Sequence, residues 1–166
     1  MAAGGTRALD ELVRAGVIHT VHEYDASPRS GPNAARIGFG DAAAAALGVD
    51  RERIYKTLVA SVDGRLTVAI VAVATDLDLK LLAGAVGGHR ASMADPADAE
   101  RSTGYVRGGI GPLGQRRRLP TVLDASAMGF PTILISAGRR GLQVELAPAD
   151  LVRRTGATVA QIGRRD

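Results

Sequence analysis

"RIYKTLVASVDGRLTVAIVAVA", residues 53–74, decides the fold class. Two runs rich in β-branched and apolar residues flank Asp63-Gly64. Asp-Gly supplies the positive φ angles of a two-residue hairpin turn, so the runs 53–62 and 65–74 are expected to pair antiparallel. The second run is apolar on both faces, which predicts a central, buried strand. In the first, alternation puts Ile54, Lys56 and Leu58 on one face and Tyr55, Thr57 and Val59 on the other. A lysine between two large aliphatics either snorkels from a sheet edge or projects its charge into a pocket.

Helix and strand signals interleave around this hairpin. Thr6–Ala15 reads as an amphipathic helix with Thr6 as N-cap and Gly16 as stop. Residues 17–24 alternate as a strand, and the Pro/Gly/Ser-rich run 25–38 reads as a loop. Helices are expected over 40–49, with Asp41 as cap, and over 75–87. Another is expected over 94–104, with Asp95 as cap and Pro96 at its first position. "TVLDAS", "PTILIS" and "LQVELA" are three short strands, and Pro148 to Gly156 bounds a closing helix. An antiparallel hairpin among alternating elements argues against a doubly wound parallel sheet. It favours an α/β (α+β) domain on a mixed, largely antiparallel sheet.

Bulk properties narrow the function. The 166 residues suffice for a single domain spanning 1–166, which buries roughly two-thirds of its unfolded surface without staples. There is no cysteine, hence no disulfide and no thiolate ligand or nucleophile. The first residues carry acids and no apolar core, unlike a signal peptide, and no apolar run is long enough for a membrane span. A cytoplasmic protein is the expectation. The net charge of +4 permits an anionic partner such as RNA without demanding one. Lys56 and Lys80 are the only lysines among 21 basic residues. In a chain that writes its positive surface as arginine, a lysine flags a site that wants a compact ammonium.

"GGIGPLGQRRRLP", residues 108–120, satisfies G-x-G-x-x-G at Gly109, Gly111 and Gly114. Pro112 inside the motif and Pro120 after it leave no room for the phosphate-facing helix of a dinucleotide fold. A glycine-rich bend can instead offer backbone N–H groups to an anion or a reacting carbonyl, or simply turn a corner. Arg116, Arg117 and Arg118 form either a solvated face or a phosphate grip. His19 and His22 point to opposite faces of a strand, so no zinc site and no cofactor are expected. There is no G-x-S-x-G, and Ser61, Ser102 and Ser136 have no recognisable His/Asp partners. Acyl chemistry here would need water or the substrate itself as nucleophile.

"IYKTLVA", "DLKLLA", "MADPADAERSTGYVRGGIGPLGQRRRLPT" and "RGLQVELAPADL" together resemble the bacterial Cys-tRNA(Pro) deacylase family, also called YbaK. That family is related to the editing domain of bacterial prolyl-tRNA synthetases. The likeness runs in unbroken order from about Leu9 to the C-terminus. It implies a mixed, barrel-like sheet and hydrolysis of the ester between a wrong amino acid and the tRNA 3′ end. Cysteine on proline tRNA is the implied first substrate, its own thiol attacking the carbonyl, with alanine or another small residue as the alternative.

Carried over, Lys56 falls on the lysine that positions the charged tRNA end. Gly108 and Gly109 fall on the loop that offers N–H groups to the carbonyl, and Tyr24, Phe39, Thr57, Gly111 and Ser136 on pocket positions. Arg116–Arg118 would hold the tRNA. Gly111 stands where some relatives have Ser, Gln143 where some have Asp, and the loop before Phe39 is longer. The implied partners are aminoacyl-tRNA, tRNA(Pro) above all, and prolyl-tRNA synthetase, with neither DNA nor a membrane. A non-catalytic tRNA-end-binding module is the other reading, and retention of Lys56 with the "GGIGP" loop favours the enzyme. Few aromatics, with no Trp, argue against base stacking as the main grip.

Overall fold

The computed structural model describes residues 5–26 and 38–165. Most of the loop expected over 25–38 therefore lies outside the described residues. The elements run α1 (Arg7–Ala15), β1 (His19–Glu23), α2 (Phe39–Leu47), β2 (Tyr55–Val62), β3 (Arg65–Ala72), β4 (Asp76–Leu77), α3 (Leu79–Ala85) and β5 (Ala91–Met93). They continue with α4 (Pro96–Thr103), β6 (Thr121–Asp124), β7 (Ile133–Ser136), β8 (Leu142–Leu146), α5 (Pro148–Thr155), β9 (Thr158–Ala160) and β10 (Gly163–Arg164).

The hairpin forms as its sequence requires. β2 and β3 pair antiparallel from Tyr55↔Ala72 to Val62↔Arg65. The turn holds Asp63 at φ 50° and Gly64 at φ 85°. The Asp63 carboxylate accepts the N–H groups of His89 and Arg90 at 2.9 Å each. These bonds lower its pKa. The hairpin tip is thereby tied to the segment leading into β5.

β3 is central to a five-stranded sheet of order β5-β2-β3-β6-β9, whose β3–β6 and β6–β9 pairs are parallel. A three-stranded antiparallel sheet, β1-β8-β7, packs beside it, and β4 pairs with β10. The two main sheets are joined by a single parallel bridge, Ile54↔Leu134. The result is a mixed α/β sheet system that is not a closed barrel.

Both faces of β3 are buried, as its composition demands. Val68, Ile70 and Ala72 face the main core, with Leu12, Leu123, Ile135, Val144 and Leu151. Ala69 and Val71 face a second cluster under α3. Fully burying one such branched side chain contributes roughly 1.5–3 kcal/mol.

Helix caps follow the sequence in most places. Thr6 caps α1 by accepting from Leu9 N–H at 3.2 Å, and Asp95 caps α4 with Pro96 at its start. Gly16, Gly48, Gly104 and Gly156 end helices in the left-handed conformation. Two expectations are corrected. Asp41 is not the cap of α2: Gly38 occupies that position and Asp41 pairs with Arg51 at 2.5 Å. The helix expected over 75–87 shrinks to α3, because Asp76–Leu77 pairs with the C-terminal strand and Asp78 takes the cap. β4, β5, β9 and β10 are each two or three residues long and were not foreseen.

Asp124 fastens the C-terminal segment. It accepts from the N–H groups of Ile162 and Gly163, both at 2.8 Å, and from Ser126 Oγ at 2.5 Å. Burial alone would raise its pKa. The Ser126 hydroxyl and the N–H groups of Ile162, Gly163 and Ser126 outweigh that effect and hold the carboxyl below its ordinary value. A depressed carboxyl stabilises the fold above the unfolded pKa of about 3.9 and loses that contribution as pH falls through the lower folded value. Asp124→Asn is expected to lower the unfolding free energy by about 2 kcal/mol at neutral pH. Urea unfolding should show the gap to wild type narrowing as pH falls from about 3.9 through the lower folded value; a gap that stays undiminished at the acid end would refute the assignment.

Candidate functional site

β2 is paired with β3 along its whole length, but its other edge is paired only at the ends. Leu134 N–H donates to Arg53 O at one end and Ala94 N–H to Val59 O at the other. β5 joins only from Ala60 onward. Between these points the edge is open, and a cavity of about 370 Å³ lies there. Its walls come from β2, the start of α2, the end of β1, β7, β8 and the loop after α4.

Tyr24, Phe39, Lys56, Thr57, Gly108 and Ser136 all line this cavity. Lys56 is half-buried and has no hydrogen-bond or ion-pair partner among the described residues. Both carboxylates in the lining have partners of their own. Asp41 holds Arg51, and Glu100 accepts the N–H of Arg107 at 2.8 Å. The Lys56 ammonium is therefore uncommitted.

The glycine loop divides its roles. Gly108 and Ile110 line the cavity and keep N–H groups without a partner among the described residues. Gly109 is buried and does not line it; its N–H donates to Val106 O at 2.9 Å. The available pair of donors is Gly108 and Ile110, not Gly108 and Gly109. Gly111 also lies outside the lining. An added Cβ there would stand 2.3 Å from Ser136 O, so the residue is glycine to let the loop lie against β7. Ser136 Oγ donates to Gly109 O at 3.0 Å and accepts from Gly138 N–H at 3.3 Å. Its hydroxyl braces the loop. Arg116–Arg118 are exposed but line no part of the cavity; Arg116 and Arg117 N–H groups bond Thr103 O and Ser102 O at the end of α4.

Two lining residues were not named as ligands from sequence. Gln143, on β8 opposite Ser136, is buried, and its Oε1 has no partner. Arg107 stands at the mouth. Thr57 Oγ1 is likewise buried and unpartnered. An unpaired buried oxygen costs roughly 1–3 kcal/mol, a cost a fold keeps where a ligand removes it. No histidine lines the cavity, so Ser136 has no base beside it there. The site offers one ammonium and two backbone N–H groups. That set can hold an acyl carbonyl and its developing oxyanion, each positioned donor being worth ~10²–10³ in rate.

A larger concavity of about 880 Å³ lies elsewhere, lined by Glu52, Asp78, Asp124, Arg164 and Arg165. Its charges are spent on each other, Glu52 on Arg165 and Asp78 on Arg164. Among the described residues no group of His, Asp and Glu could hold a metal ion, and no helix is long and apolar enough to cross a membrane.

Comparison with known proteins agrees with this chemistry. Residues 39–154 match the aminoacyl-tRNA editing domain. A protein of Enterococcus faecalis named as a Cys-tRNA(Pro)/Cys-tRNA(Cys) deacylase, EbsC, is 40% identical over 129 residues, covering 76% of this chain and 77% of that protein. The Escherichia coli multifunctional Ser/Thr-tRNA deacylase ProXp-y is 37% identical over 103 residues, 59% of this chain and 62% of its own length. A crystal structure described as a trans-editing enzyme for prolyl-tRNA synthetase superimposes over 99% of both chains with a TM-score of 0.80 and 26% identity. The match over residues 39–154 and the identity to the Enterococcus protein place the chain in the aminoacyl-tRNA editing domain family.

Proposed function

We propose that this chain removes cysteine from mischarged tRNA(Pro) by cleaving the 3′ aminoacyl ester, acting as one module in the cytoplasm. The observation that carries this is the free Lys56 ammonium in the cavity shared with the unpaired N–H groups of Gly108 and Ile110. Lys56 binds and orients the charged tRNA end. The two N–H groups receive the carbonyl oxygen as it becomes an oxyanion.

The cavity supplies no nucleophile, so the substrate provides one. The cysteine thiol gives its proton to solvent, and the sulfur attacks its own carbonyl carbon. A C–S bond forms, the ester C–O bond breaks, and the departing ribose oxygen takes a proton from water. Water then opens the strained thiolactone to free cysteine. The name of the Enterococcus relative supports cysteine. An alanine ester brings no thiol to attack its own carbonyl, which disfavours alanine. A serine or threonine ester, the substrate named for the Escherichia coli relative, is the second reading, with water as nucleophile. Prolyl-tRNA synthetase is the proposed partner that would present the tRNA.

Release of labelled amino acid from Cys-, Ser- and Ala-tRNA(Pro) tests this. Cys-tRNA(Pro) should be cleaved fastest and Ala-tRNA(Pro) slowest. Lys56→Ala should lower kcat/KM at least ~10²-fold without loss of thermal stability. Lys56→Arg should not rescue it, because the guanidinium fork is larger than an ammonium. An active Lys56→Ala enzyme, or wild type inert on all three substrates with prolyl-tRNA synthetase present, would sink the proposal. Gly108→Ala should be at least tenfold slower, since Gly108 has φ 88° and its added Cβ would meet Arg140 Nε at 2.4 Å.

A further inference from the structure

Arg140 is exposed, yet its guanidinium is held on two sides. Nε donates to Arg107 O at 3.0 Å. The guanidinium carbon stands 4.4 Å from the centre of the Phe39 ring. Gly108 lies against both: a Cβ on it would approach the Phe39 ring to 3.0 Å as well as Arg140. Phe39, Arg107 and Gly108 line the cavity, so Arg140 sits at its rim. No ion pair occupies it, and its two Nη groups have no partner among the described residues. The Arg107 side chain is equally uncommitted. An arginine is ordinarily flexible, and fixing its side chain costs rotamer entropy. Here the ring and the Arg107 carbonyl meet that cost before any ligand arrives.

An anion presented at this rim would meet a pre-set guanidinium fork, the geometry that suits a phosphate. In an aminoacyl-tRNA end, the 5′-phosphodiester of the terminal nucleotide stands one ribose away from the ester. We propose that Arg140, backed by Phe39 and supported by Arg107, forms the subsite for that phosphodiester. This rests on the deacylase reading above. Arg140, like Arg116–Arg118, is not itself part of the lining, but it is fixed against two residues that are, Arg107 and Phe39, and the principal phosphate grip moves to it. Phe39 serves as a platform for the arginine rather than for a base.

The test uses amide-linked, non-hydrolysable 3′-cysteinylamino-adenosine with and without a 5′-phosphate, titrated calorimetrically. Wild type should bind the phosphorylated analogue about 10-fold to 100-fold more tightly, a preference that shrinks as salt rises. Arg140→Ala should bind both analogues alike, with affinity for the phosphate-free one unchanged within about twofold. Arg140→Lys should keep part of the preference. Phe39→Leu, which removes the platform but no charge, should reduce it several-fold. Equal binding of both analogues by wild type overturns the proposal. So does an undiminished preference in Arg140→Ala, or an equal loss on both analogues, which would make Arg140 a mere support for the Gly108 loop. Deacylation of Cys-tRNA(Pro) by wild type is measured in parallel. Its absence alongside an Arg140-dependent phosphate preference would remove the deacylase reading and leave the subsite standing.

Discussion

The pairing of β2 is the constraint on which the rest depends. One edge is sealed by β3 from Tyr55 to Val62, while the other is sealed only beyond Arg53 and Val59. An open strand edge is usually a liability, because its peptide groups invite another strand. Here the gap is roofed by α2 and the glycine loop, and the enclosed space is the cavity. The strand that is most rigidly held on one side thus presents Lys56 on the other. A functional group carried by a doubly buried hairpin moves less than one carried by a loop. The cost is borne in the sheet: β7 diverges from β2 after a single bridge, and the system cannot close into a barrel.

Legibility followed the range of the forces involved. The hairpin, α1, α4 and α5 were readable because their signals are local: an Asp-Gly turn, caps, a proline at the first turn, a glycine at the end. β4, β5, β9 and β10 were not, since strands of two or three residues carry no periodicity and exist only where a distant partner completes them. Asp41 looked like a cap by residue type. The helix starts earlier, at Phe39, and leaves that carboxylate to Arg51. In the site, Lys56 was readable from alternation and from the rarity of lysine. The division of labour within residues 108–111 was not, because it depends on contacts with Ser136 and Arg139 nearly thirty positions away. Arg140 was invisible for the same reason: only the turn between β7 and β8 brings it over Phe39.

The glycine run shows why composition alone misleads. Gly109 and Gly111 do not line the cavity. They let the loop press against the Arg139 backbone and against Ser136, where a Cβ would stand at 2.7 and 2.3 Å. That compression fixes the positions of Gly108 and Ile110, the two residues whose N–H groups remain available. A motif that resembles a phosphate cradle is therefore mostly packing, and only two of its peptide N–H groups are left available at the cavity.

A cavity with donors, an ammonium and no nucleophile discriminates by reactivity as well as by fit. Size exclusion can keep out residues larger than the cavity accepts, but it separates small side chains poorly, since one methylene is worth only about 1–3 kcal/mol. Under the proposed reading, the reacting atom belongs to the wrong amino acid itself. A proline ester that strayed into the site would be held by the same N–H groups yet meet no thiol. Withholding the nucleophile from the protein thus protects the correctly charged tRNA, which a serine or cysteine hydrolase at the same position would destroy.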